Sequence, residues 1–290
     1  MKRPCVMMLV AATSIHTCFA SDDWIGLDDD EPVLIGIELG EDEAQDSSRA
    51  LLLGLPFGDS AGFYGYYGET QLTDQDQQFD SLSFATTVWF QLSTLIDIEV
   101  QHFFEGQSGE LEQETLGLAL GFTHQDWSFR LQYRDGETIL FTREDISDFL
   151  SVFIPDRFAT DVSAYGLAVG RQNDPWYWQA SFQRYDYDAD LTPLSQSRFA
   201  QFIVKASALA QSSLLISQNL SLLVGHADFD NDYSVAISQD RSAIDESYAE
   251  TLQLSWQHWA SQRFGYLLAA SMPLPVDDEY GFTLGLRWML

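Results

Sequence analysis

The chain ends on YGFTLGLRWML, residues 280–290, a segment that alternates without a break. Tyr280, Phe282, Leu284, Leu286, Trp288 and Leu290 fall on one face of an extended strand. Gly281, Thr283, Gly285, Arg287 and Met289 fall on the other. One face is continuously apolar, and the other is small, polar or charged. The same two-residue period recurs upstream. TLGLALGFT sets Leu116, Leu118, Leu120 and Phe122 against Thr115, Gly117, Ala119, Gly121 and Thr123. WSFRLQYR sets Trp127, Phe129, Leu131 and Tyr133 against Ser128, Arg130, Gln132 and Arg134. About fourteen such segments are legible: 33–39, 48–57, 62–70, 79–90, 95–105, 111–123, 127–135, 161–171, 176–187, 198–209, 216–228, 247–258, 263–272 and 279–290. The first two are short and carry Pro56, so twelve strands is the alternative count.

The connections alternate as well. GDSA (58–61), QLST (91–94), HQD (124–126), NDP (173–175) and ASQ (260–262) read as tight turns. Between them lie longer acidic stretches: 40–48, 72–78, about 136–160, and DFDNDYSVAISQDRSAIDE at 228–246. Short turns on one rim and long loops on the other are the pattern of a transmembrane β-barrel, whereas β-sandwiches show no such two-sided rule. Tryptophan points the same way. With the C-terminal residue on the short-turn rim, the strand ends there carry Trp89, Trp127, Trp176, Trp178, Trp256, Trp259 and Trp288. A sandwich core would scatter these rings. A single level of indoles is expected of the aromatic girdle at a membrane interface.

The other end adds an address. MKRPCVMMLVAATSIHTCFA has a basic start, a short apolar run and small residues before position 21, which is the pattern of a cleaved secretory signal peptide at 1–20. An acidic lead, 21–31, precedes the barrel at 32–290. Both cysteines lie in the signal segment, so the processed chain is expected to hold no disulfide and no thiol-ligated metal. The formal charge is −30, and removal of Lys2 and Arg3 takes it to −32, leaving Lys205 as the one lysine. That excludes a nucleic-acid groove, which needs clustered basic residues. The acidic excess itself reads as solubility or salt adaptation.

The tail TLGLRWML resembles the C-terminal assembly signal of the Gram-negative outer-membrane β-barrel superfamily. There a polar residue, a glycine and two spaced hydrophobics close the chain, the places held here by Thr283, Gly285, Trp288 and Leu290. Leu290 stands where that superfamily usually has an aromatic. The resemblance implies location in the outer membrane, with lipid and the assembly machinery as partners; the expected function needs no cofactor.

Candidate chemistry is sparse. His124 and His258 fall near short turns, and His102 and His226 are expected near the long-loop rim, facing lipid. Outer-membrane lipid hydrolases use a lipid-facing Ser and His, and GFTHQDWS (121–128) superficially resembles a phospholipase signature. That segment lies at the wrong rim, however, with Asp126 at the nucleophile's place. No catalytic residue is assigned. The inward faces are more informative: Asp97, Glu99 and Gln101 form one polar row and Arg130, Gln132 and Arg134 another two strands away, with Lys205 and Arg287 further round. Such rows either set a transverse field in an open lumen or pair as salt bridges in a closed one. REDISDFLSVFIPDRF (143–158) has helical spacing and is expected to be a loop helix, either folded inward or lying outside. DFDND (228–232) lacks the order of a calcium loop, so no metal site is assigned. The expected function is passive passage of small polar solutes or ions. The alternatives are a structural or surface-binding barrel and, third, a lipid hydrolase.

Overall fold

The computed structural model describes residues 33–42, 47–58, 60–74, 77–107, 111–141, 157–192, 215–274 and 280–290. Residues 1–32, expected as signal peptide and acidic lead, the 198–209 segment with Lys205, and most of the 143–158 stretch lie outside them. The described elements are β1 (Leu34–Asp42), β2 (Ser47–Pro56), β3 (Ala61–Asp74), β4 (Gln77–Ser93), β5 (Ile96–Gln107), β6 (Leu111–His124) and β7 (Trp127–Phe141). They continue with β8 (Arg157–Asn173), β9 (Trp176–Tyr187), β10 (Ile216–Ala227), β11 (Asn231–Ser242), β12 (Tyr248–Ser261), β13 (Phe264–Leu274) and β14 (Gly281–Met289).

Each strand pairs antiparallel with its chain neighbours, and β1 pairs with β14, so fourteen strands close a barrel. The closing register runs from Leu34 opposite Met289 to Asp42 opposite Gly281. Beyond it, the Val33 N–H donates to the Leu290 carbonyl at 3.1 Å and the Leu290 N–H donates back at 2.9 Å. The alternation therefore has a reason to continue to residue 290. In hydrocarbon an unpaired strand edge has no solvent to bond, so the seam must be paired along its length.

Burial follows the two-residue period with the polarity of a water-soluble protein reversed. On β6, Leu116 and Leu118 are 64% and 57% exposed, while Ala119 between Leu118 and Leu120 is 2% exposed. Outward faces elsewhere carry Ile37, Leu222, Val235, Leu254 and Leu284, while Gln101, Gln132, Gln253 and Gln257 are buried. An apolar exterior around a polar interior is what a hydrocarbon surround requires.

Three loop expectations are corrected. The 228–246 stretch is not one long loop. Asp228–Asp230 is a sixth tight turn and Asn231–Ser242 is β11, while the 198–209 segment expected as a strand lies outside the described residues. The acidic residues masked an alternation of Tyr233, Val235 and Ile237 against Ser234, Ala236 and Ser238. The turn is closed by Asp228, whose carboxylate accepts from the Asn231 N–H at 2.9 Å and the Asp230 N–H at 3.1 Å. The 72–78 stretch is mostly strand, since β3 runs to Asp74 and β4 starts at Gln77. Likewise β7 continues through 136–141, and β8 begins at Arg157, within the segment read as a loop helix. In these extensions polar and apolar residues no longer keep to separate faces, as in GETILF at 136–141, so the amphipathic period is not visible there.

Candidate functional site

The barrel interior is the candidate site, and it begins with side-chain size. β6 turns Gly117, Ala119 and Gly121 inward between β5 and β7. Long side chains from both neighbours can then meet over it. Glu99 of β5 accepts from Arg130 Nη2 of β7, and both side chains are buried. Gln101 Nε2 donates to Glu99 Oε2 at 2.7 Å, and the Gln132 amide lies between Gln101, at 2.9 Å, and the Arg134 guanidinium. The Arg134 guanidinium lies 3.9 Å from the Phe103 ring centroid, a cation–π contact. The glycines are seats: a Cβ at Gly117 would come within 2.8 Å of Arg134 Cγ, and one at Gly121 within 2.1 Å of Asp97 Oδ1. The rows that the sequence sets two strands apart thus join along the wall over the small face of β6.

A second pair sits inside the closing seam. Arg287 of β14 donates to Glu38 of β1, both buried, across 249 positions of sequence. Gly36 makes room, because a Cβ there would approach Arg287 Nη1 to 2.6 Å. Around the same seam Thr283 stands opposite Gly40, Gly285 is buried beside Glu38 and Leu267, and Trp288 packs outward on Phe264 at 5.7 Å between ring centroids.

The sector from β9 to β12 is different. Its inward positions are hydroxyls and amides: Ser181 and Ser221 share a hydrogen bond of 2.6 Å, Ser234 and Ser255 one of 2.8 Å, and Tyr185 donates to Gln183 at 2.7 Å. Two carboxylates of β11 join them. Asp232 accepts from the Tyr177 hydroxyl at 2.6 Å, and Asp240 from Asn219 Nδ2 at 2.6 Å. Sequence reasoning missed both because it placed them in a loop. The alternation of NDYSVAISQ was the signal that could have found them.

At the short-turn rim the tryptophans divide. Trp127, Trp176, Trp178, Trp256 and Trp288 face outward, with Trp127 and Trp178 in edge contact at 5.8 Å. Trp89 and Trp259 are corrections to the girdle, for they turn inward and cover glycines on the adjacent strand. A Cβ at Gly62 would meet Trp89 at 2.6 Å, and one at Gly265 would meet Trp259 at 2.9 Å. Tyr177 covers Gly225 in the same way. Parity decides this. On β4 the outward face belongs to Phe84 and Phe90, so Trp89 must point inside.

His226 is also corrected. β10 ends at the tight turn, so His226 lies on the short-turn rim, its ring 4.8 Å from that of Trp176. His258 bonds Asn231 at 3.0 Å, and His102 bonds Glu114 at 2.8 Å near the opposite rim.

No family model and no curated protein matches this sequence. Solved structures do. The CymD monoaromatic hydrocarbon channel aligns with TM-score 0.54 at 7% identity, covering 93% of this chain and 91% of that one. The KdgM porin aligns with TM-score 0.44 at 10% identity, over 89% and 99% of the two chains. OccK8 (OprE) of Pseudomonas aeruginosa aligns with TM-score 0.45 at 7% identity, over 90% and 98%. The fold of this chain, a closed barrel of fourteen antiparallel strands, is similar to that of the CymD channel.

Proposed function

We propose that this protein is an outer-membrane channel for passive diffusion of small polar solutes or ions, with no catalytic centre. The observation that carries the reading is the inverted barrel: buried polar side chains on β5, β7, β9, β11, β12 and β14 line an inner face, beside apolar patches around Leu52 and Val162, inside an apolar outer one. Such an inner wall serves solutes that need water or hydrogen bonds. The likeness to CymD supports the fold on which the reading rests. Against a lipid hydrolase, no histidine among the described residues hydrogen-bonds a serine; His102 and His258 bond Glu114 and Asn231 instead.

The structural-barrel reading has one observation in its favour, the mutual pairing and burial of Glu99, Arg130, Gln101 and Gln132. Conductance separates the two. Purified, heat-modifiable protein in a planar bilayer should show discrete current steps that scale with salt. Silence from folded protein would favour the structural barrel, and release of fatty acid in detergent would revive the hydrolase.

A further inference from the structure

Charge is distributed unevenly around the interior. The buried arginines among the described residues are Arg130, Arg134 and Arg287, on β7 and β14. The sector β9–β12 has none. It does have Asp232 and Asp240, only 2% and 6% exposed; Tyr177 donates to the first, which also feels the His226 ring at the same turn, and Asn219 donates to the second. Among the described residues neither forms an ion pair. They stand near opposite ends of β11, Asp232 just beyond the tight turn and Asp240 close to the far end of the strand. At about 3.3 Å per residue their separation along the strand is roughly 26 Å.

Burying a carboxylate without a countercharge is costly, and one neutral hydrogen bond offsets only part of that cost. A cation moving along the wall supplies the missing charge. Glu99 and Glu38 already have theirs in Arg130 and Arg287. A passing ion meets those pairs as dipoles, whose fields fall off faster than that of a lone charge. The low-dielectric wall strengthens the lone charges further by confining their field. Between the two carboxylates, Ser234 with Ser255, Ser181 with Ser221, and Gln253 offer oxygens that can stand in for hydration water.

We propose that the β9–β12 sector is a lane for small cations, with Asp240 and Asp232 as its two stations and the determinants of ion preference. This rests on the channel reading. The test is the reversal potential of the full-length protein in a planar bilayer under a potassium chloride gradient. Wild type should prefer potassium. The double variant Asp232→Asn/Asp240→Asn should lose that preference several-fold, Asp232→Glu/Asp240→Glu should keep it, and the outward-facing Asp186→Asn should leave it alone. Gln253→Arg, which places a cation on β12 opposite Ala236 of β11, should move selectivity toward chloride even if the double variant does not assemble. A conducting protein whose selectivity ignores both the Asn pair and Gln253→Arg overturns the lane while the channel reading stands. Folded wild type that passes no current overturns both.

Discussion

On the β5–β7 wall, Glu99 and Arg130 are buried together, and their neighbours Gln101 and Gln132 complete a chain of hydrogen bonds. On the β9–β12 wall, Asp232 and Asp240 are buried as deeply but meet only a phenol and an amide. The two walls share strand geometry, alternation and rim. They differ in what stands between the long side chains. β6 presents Gly117, Ala119 and Gly121, which leave a trough where an arginine can cross to a carboxylate. On the other wall the side chain that crosses a small residue is a tyrosine, Tyr177 of β9 passing over Gly225 of β10 to Asp232, while Asp240 meets Asn219 on the adjacent strand. The same residue type is therefore part of a structural pair on one wall and a source of field on the other. Which of these it becomes is decided by the residue that reaches it, an arginine on one wall and a tyrosine or an asparagine on the other.

The comparison breaks most visibly at Arg130. Arg130→Met leaves Glu99 buried without its cation, a loss expected at about 3–5 kcal/mol, whereas Glu99→Gln/Arg130→Met should recover most of it. Denaturant midpoints of the refolded barrel measure this, and equal destabilisation by the single and double variants would mean that the pair does not act as a unit. A smaller effect separates outside from inside. Leu118→Arg puts a charge on the lipid face and should cost about 2–4 kcal/mol if Leu118 lies near the midplane, while Gln253→Arg, inside, should assemble at close to wild-type yield. Similar behaviour in a heat-modifiability gel would put the assigned faces out by one residue. The smallest effect belongs to the turn that connects β10 to β11. Hydrogen bonds from the Asn231 side chain and from the backbone of Asp230 and Asn231 hold the Asp228 carboxyl below its ordinary range. Its contribution is therefore present above the unfolded carboxylate range and is lost as pH falls through the lower folded value. Asp228→Ala should slightly lower the neutral value and so flatten the acid limb of stability against pH, leaving stability below the folded value unchanged. An acid limb identical to wild type would remove that role.

Much of this was legible in the residues. Leu116, Leu118 and Leu120 against Gly117, Ala119 and Gly121 specify a strand with a lipid-type face, and Arg130, Gln132 and Arg134 share a parity that places them together. Legibility failed where composition overrode period. The acidic letters of 228–246 concealed β11, and with it Asp232 and Asp240. Trp89 and Trp259 were grouped by their level along the barrel, although parity along β4 sets Trp89 apart from Phe84 and Phe90. Level is a property of chain position, whereas facing depends on counting by twos through a bulge or turn, and β12 carries a register shift between Trp259 and Ser261.

The sequence by itself determined the class of fold, the near-universal exchange of apolar and polar faces, and the rim on which the tight turns lie. These follow from the two-residue period of an extended backbone and from turn chemistry, both local. Only the tertiary structure decided that Val33 and Leu290 bond across the seam, that Glu38 finds Arg287, and that Glu99 reaches Arg130 over Ala119 while Asp232 is left to Tyr177. Those outcomes depend on register and on the side-chain volume of a neighbouring strand, and no property of one strand read alone contains either.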